Sequence, residues 1–225
     1  MILLEIACFS VENAIIAANA GADRIEFCKN YAIGGKSPSL EDFQLLKEQV
    51  SVPIFVMIRT RSGNFVYSET EIKQMQVLIQ EFDNAGADGF VFGVLNEDRS
   101  INRNACELLL KTANGKPCTF HRAIDEVNDY EASLKVVIEL GFNAVLSSGK
   151  NCMAELGLET LKHIQEKFGN QITVIVGGGV RATNIDALAS AHCKAYHSAA
   201  LDEEQKISKK EIEQLKRKIL NYEKN

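Results

Sequence analysis

Glu5, Glu26, Arg59, His121 and His197 are the side chains of this 225-residue sequence best suited to chemistry. A guanidinium such as Arg59 clamps a carboxylate or phosphate through two hydrogen bonds. His121 and His197 are the residue type that exchanges protons near neutral pH. Neighbouring carboxylates raise one another's proton affinity, so Glu5 and Glu26 can divide acid and base roles. With His121 they could instead hold a hard divalent cation. A plain Glu–Arg structural tie is the bland alternative.

Other stretches offer anion contacts. Val176-Gly-Gly-Gly-Val180 precedes Arg181-Ala-Thr-Asn184. Glycines there let the backbone N–H groups of Gly178 and Gly179 approach an anion, or simply permit a tight turn. Ser147-Ser148-Gly149 adds small donors, and Arg61 with Gly63 forms a basic loop. All such groups are costly to bury unless they pair or bind something. The elements that carry them therefore decide whether they act together.

Eight short apolar runs rich in β-branched and aromatic residues read as strands: Leu3–Cys8, Arg24–Cys28, Ile54–Arg59, Gly89–Leu95, Cys118–Arg122, Ala144–Ser147, Thr173–Gly177 and Ala195–Ser198. Segments of helical period separate them, such as Leu134-Val137-Ile138 and Leu158-Leu161-Ile164. Ser68-Glu-Thr-Glu71 is a capping box, Ser10 and Ser39 are N-cap candidates, and Gly21, Gly86 and Gly141 fall where helices should stop. Ala20-Gly-Ala-Asp23 recurs as Ala85-Gly-Ala-Asp88, and Leu140-Gly-Phe-Asn143 is a looser copy. Strands alternating with helices imply a parallel sheet, and eight of them imply closure into a (β/α)8 barrel. An open doubly wound sheet is the alternative.

Alternation along each strand then sorts the candidates. Leu3, Glu5 and Ala7 share a face, as do Glu26 and Cys28, Met57 and Arg59, Thr119 and His121, and Ala195 and His197. The polar members recur at or near strand C-terminal ends, where barrel enzymes place their chemistry. The expectation is one polar pocket, with Arg59, Arg61, Ser148, Gly178, Gly179 and His197 holding a small anionic or phosphorylated metabolite. Its reaction would be of lyase, isomerase or hydrolase type.

Residues 1–201 are assigned to the single barrel domain. Residues 202–225 form a helix with Ile212, Leu215 and Ile219 on one face, which either packs on the barrel or makes an oligomer contact. A 46% hydrophobic, 24% charged composition is that of a domain with a full core. A net charge of −5 gives no basic field for nucleic acid. No apolar run is long enough for a membrane span. The start, Met1-Ile-Leu-Leu-Glu5, is read as mature, and the six scattered cysteines as reduced thiols of a cytoplasmic protein.

The sequence resembles the CutC family, named for copper homeostasis. The resemblance runs from about Leu3 to Ala200. It rests on Leu4-Glu-Ile6, Gly21-Ala-Asp-Arg-Ile-Glu-Phe-Cys28, Gly34-Gly35, Pro38-Ser39, Ile58-Arg-Thr-Arg61, Thr119-Phe-His-Arg-Ala-Ile-Asp125, Leu146-Ser-Ser-Gly149, Gly177-Gly-Gly-Val180 and His197-Ser198. It implies a (β/α)8 barrel, a cytosolic setting, a homodimer or higher homo-oligomer, and copper as ligand. Asp125 joins Glu5, Glu26 and His121 as a catalytic candidate on this basis. The resemblance further implies a thiolate pair for Cu(I), a soft ion. Cys28 matches its second member. At the first, where many relatives carry Cys, this chain has Ala7, and the nearby sulfur is that of Cys8, whose parity turns it toward the helices. Two other departures are Arg59-Thr-Arg-Ser-Gly-Asn64 in place of Arg-Pro-Arg-Gly-Gly-Asp, and Ala195 in place of an acidic residue.

Overall fold

The computed structural model describes residues 2–222; Met1 and residues 223–225, the two ends of the segments assigned above, lie outside them. Eight strands follow one another around the sheet: β1 (Leu3–Cys8), β2 (Arg24–Phe27), β3 (Ile54–Met57), β4 (Gly89–Phe92), β5 (Cys118–Phe120), β6 (Ala144–Ser147), β7 (Thr173–Val176) and β8 (Ala195–Ser198). Each pairs in parallel with the next, and β8 closes on β1. Between them run α1 (Val11–Asn19), α2 (Leu40–Lys47), α3 (Glu69–Asn84), α4 (Arg103–Thr112), α5 (Tyr130–Glu139), α6 (Leu158–Phe168) and the short α7 (Ile185–Leu188), with α8 (Lys209–Tyr222) last. The fold is a closed (β/α)8 barrel, and the open sheet is excluded.

Local chemistry explains the punctuation. Ser10 and Ser39 accept hydrogen bonds from Asn13 N and Asp42 N, and Ser68 and Glu71 form the reciprocal capping box. The repeated Gly-Ala-Asp stretch also has a physical role. Asp23 Oδ2 accepts from Leu4 N, Asp88 Oδ2 from Ile54 N, and Asn143 Oδ1 from Cys118 N. In each copy the side chain opening one strand caps a free N–H at the start of the strand before it. Such a buried-edge donor would otherwise lack a partner.

Several strands are shorter than the apolar runs suggested. Cys28, Arg59, His121 and Gly177 fall just past the ladder ends, where the chain turns into loops. Arg59 N has already left the sheet to donate to Ser37 Oγ, and His121 caps the 3-10 turn Arg122–Glu126. These residues keep the parity of their strands, so the shortening moves them onto the mouth without reversing them.

The main core lies between sheet and helices; Cys8 packs there with Leu4, Ile6 and Phe27. The lumen is filled in layers. Leu3, Ala144, Leu146, Ile175 and Ala195 form one apolar cluster and Cys28, Phe55, Met57 and Val91 another. On α8, Ile212, Leu215 and Ile219 are fully buried, and the helix packs against α1, α7 and β1. It occupies the eighth helical position, so the barrel runs on through Tyr222. Among the described residues no helix is long and apolar enough to cross a membrane.

Candidate functional site at the barrel mouth

Register builds the site. On β1, Glu5 stands beside Arg24 of β2 on one side and His197 of β8 on the other. Arg24 Nε donates to Glu5 Oε2 at 2.6 Å, and Glu5 Oε1 lies 2.7 Å from His197 Nδ1. One layer higher, Glu26 is in register with Ala7. The methyl group of Ala7 leaves the Glu26 carboxyl room at the mouth. Glu26 Oε2 lies 3.8 Å from His197 Nε2 and accepts from Cys28 Sγ at 3.5 Å, while Oε1 is buried without a partner.

This row sorts protons unequally. Burial opposes ionisation of Glu5, but Arg24 and His197 together outweigh it and hold its carboxyl at about 2. Burial pushes Glu26 above the usual carboxylate range; His197 partly offsets this and the charge of Glu5 adds to it. For His197 burial opposes the charged ring, yet the carboxylates of Glu26 and Glu5 bring its pKa above the ordinary value. Two carboxyl groups on one imidazole are thus pushed in opposite directions, the arrangement by which environments separate acid from base roles.

His121 stands apart from this row. Its Nδ1 accepts from Ala123 N, which leaves the neutral ring's proton on Nε2, and that nitrogen is buried without a partner. The ring packs on Phe65 with centroids 4.6 Å apart. Gly93 makes the space: a Cβ there would lie 2.8 Å from His121 Nδ1. Burial, with the charge of Arg59, lowers the imidazole pKa to about 3. At neutral pH His121 is a hydrogen-bond donor, in contrast to the near-neutral titration that its residue type suggested. The cation group expected from Glu5, Glu26 and His121 also changes: the histidine within reach of both carboxylates is His197.

A cavity of about 250 Å³ opens at the C-terminal ends of the strands. Glu26, Cys28, Arg59, His121, Gly178, Gly179 and His197 all line it, and Glu5 sits directly behind His197. Arg59 also ties loops together. Its Nη1 donates to the carbonyls of Ile33, Gly34 and Gly35 and its Nη2 to Gly63 O, and the guanidinium lies 4.9 Å from the Phe65 ring centroid. Its charge has no carboxylate partner among the described residues. Gly178 and Gly179 have φ of 99° and 77°, which favours glycine, and a Cβ on either would strike Ser148 or Met153. Among the described residues the N–H groups of Gly178, Gly179 and Val180 donate to no protein acceptor.

Four candidates lie elsewhere. Arg61 Nε pairs with Glu71, and its other nitrogens hold Asn64 and Val66. Asp125 accepts from Ser147 Oγ, Ser148 N, Ser148 Oγ and Arg122 Nε, so Asp125 and Ser148 organise the loop after β6 outside the cavity. Cys8 packs toward the helices and its thiol bonds Ile6 O. The thiolate pair implied by the resemblance is therefore not assembled, because Ala7 holds the lumen position. Burial, with Glu26, also raises the Cys28 thiol well above its usual range.

Sequence reasoning missed Arg24, Arg122 and Arg181 as members of the site, and set Met57 on the inward face beside Arg59 without assigning it a role. Arg24 shares the parity of Glu26 and was discoverable by alternation, but it opens its strand, away from the ends searched for chemistry. Arg122 lines the cavity from the 3-10 turn after β5, although alternation along Cys118–Arg122 set it on the face opposite His121, and Arg181 lines it from a loop, where no periodicity applies.

Comparisons with known proteins agree with this architecture. The chain is 41% identical over 199 residues to the human "Copper homeostasis protein cutC homolog", covering 86% of this chain and 73% of that one. It is 39% identical over 202 residues to the mouse protein of the same name, covering 87% and 74%. The crystal structure of a CutC named for copper homeostasis from Streptococcus agalactiae superposes with a TM-score of 0.83 at 31% identity, covering 88% of this chain and 99% of that one. The CutC family model matches residues 2–201, and the chain belongs to that family.

Proposed function

We propose that the barrel mouth binds a small anionic metabolite, phosphorylated compounds included, and transfers protons on it through Glu26 and His197. One observation carries this reading. The buried carboxyl of Glu26, with Oε1 unpartnered, opens onto the same cavity as two guanidinium groups, Arg59 and Arg181, that have no carboxylate partner among the described residues. An uncompensated cationic wall attracts an anion, and a carboxyl of raised pKa beside an imidazolium suits acid–base chemistry. The N–H groups of Gly178 and Gly179 would receive the anion, His121 Nε2 would donate a hydrogen bond to the bound molecule, and Glu5 with Arg24 would keep His197 oriented. The chemistry is of lyase, isomerase or hydrolase type. Thermal melting with inorganic phosphate and a panel of phosphorylated metabolites tests it. A rise in melting temperature with the wild type, lost in Arg181→Met, is expected; no rise with any compound would sink the reading.

Copper as cargo is the second reading, favoured by the names of the relatives and by Cys28 in the cavity wall. Cu(I) is soft and prefers sulfur. Titration of the reduced protein with Cu(I) against a competing chelator checks it, and affinity unchanged in Cys28→Ala would remove it.

A further inference from the structure

A second cavity, of about 330 Å³, lies at the other end of the lumen, where the strands begin. Arg24, Thr119, Asn143, Thr173 and Lys194 supply its polar wall, and it shares no lining residue with the mouth. Two polar atoms of these residues, Arg24 Nη2 and Thr119 Oγ1, are buried without a partner. Thr119 is 1% exposed and the Arg24 side chain 12%. A buried donor left unpaired is costly, so two such groups on one cavity point to a ligand inside it.

The Arg24 guanidinium is fixed by two contacts. Its Nε donates to Glu5 Oε2, and its carbon lies 4.1 Å from the Phe55 ring centroid. Gly89 makes room for that ring, since a Cβ there would stand 2.6 Å from it. Nη2 is a donor that neither contact uses.

We infer that this floor cavity binds a small monovalent anion, chloride in the simplest case, through Arg24 and Thr119. Its wall is made of donors. Asn143 spends its Oδ1 on Cys118 N, which leaves its amide N–H groups to offer. Among the described residues no carboxylate lines the cavity. Arg24 and Lys194 bring two positive charges, and the Glu5 carboxylate offsets one of them. One monovalent anion balances the other. A dianion would overshoot and confront Glu5 across the same guanidinium. Leu3, Ala144 and Ala195 complete the wall with apolar surface, where an ionic hydrogen bond is stronger than in water. Thr173 and Lys194 stand at the exposed rim, by which an anion enters.

The test uses the full chain. Crystals soaked in bromide report the site by anomalous scattering, and a peak within hydrogen-bond reach of Arg24 Nη2 and Thr119 Oγ1 is expected. Density there without an anomalous signal would mean water and overturns the inference. Thermal melting in rising sodium chloride gives the solution reading. Thr119→Val is the control, because it removes the hydroxyl and keeps the branched shape. Salt acts on both proteins alike away from the floor, so the difference between them reads the site. Chloride should bind the wild type roughly tenfold more tightly than the variant. Arg181→Met, which removes a cation from the mouth, should gain as much from chloride as the wild type. An equal gain in wild type and Thr119→Val overturns the inference, and a bromide peak beside that result marks binding at crystal concentration only. A gain lost in Arg181→Met assigns the effect to the mouth and overturns it as well.

Discussion

Glu5 and His197 stand opposite each other where β1 meets β8, and their 2.7 Å contact joins the first and last strands of the barrel. Arg24 grips the other oxygen of the same carboxylate. The seam that closes the ring is thus also the polar centre of the lumen.

Removing the central charge should therefore be costly. Glu5→Gln leaves a buried guanidinium and imidazolium facing one another, and loss of one member of a buried ion pair costs about 3–5 kcal/mol. Denaturant unfolding should show a loss of that order. A change below about 1 kcal/mol would mean that water reaches the row, in conflict with its burial.

Acid should weaken the protein in two steps. His121 has a folded pKa of about 3 against about 6.5 when unfolded. The unfolded chain thus binds the extra proton across that window, and stability falls as pH drops through it, by at most about 1.4 kcal/mol per pH unit. Glu5, depressed to about 2, contributes stability that is present above about 4.3 and lost as pH falls toward 2. His121→Asn should flatten the upper step and leave the lower one. Unfolding free energies measured from pH 7 to pH 2 check this, and an unchanged slope in the variant between about pH 6.5 and the lower step contradicts it.

Gly93 should resist any side chain. A methyl group there would meet the His121 and Phe120 rings at 2.8–2.9 Å, and forced overpacking costs about 1–3 kcal/mol. Gly93→Ala should lower stability by that amount and shift the His121 ring resonances in an NMR spectrum. Unmoved resonances would show that the ring is not held by this contact.

For the anion, Arg181 and Glu26 should separate. Hydrogen bonds to charged groups contribute about 1.5–3 kcal/mol, so Arg181→Met should weaken phosphate binding roughly tenfold to a hundredfold. Glu26→Gln, which keeps the size but cannot ionise, should hold the anion at least as well. Calorimetric titration decides, and weaker binding in Glu26→Gln than in Arg181→Met would reverse the assigned roles.

The barrel was legible because its signals are local and repeated: short apolar runs, capped helices, and the Gly-Ala-Asp stretch whose carboxylate caps the preceding strand. Much of the pocket was legible too, because alternation is a rule of period two and placed Glu5, Glu26, His121 and His197 on inward faces. What alternation cannot give is pairing between strands. His121 and His197 look alike in sequence, yet one is packed against Phe65 and Gly93 and the other is held between two carboxylates. That difference depends on which strands are neighbours and which layer each side chain occupies. Arg61 and Ser148 were grouped with the pocket because their types suit it, and Asp125 because of the family resemblance. Loops carry no period to tell which way a side chain turns, and all three face their own loop networks.

Arg59 spends its nitrogens on carbonyls from both the Ile33–Gly35 turn and Gly63. The two loops are thereby riveted through one planar group whose charge also faces the cavity. Parting the two loops would break these hydrogen bonds, so displacing either side of the entrance is coupled to the other through this one residue.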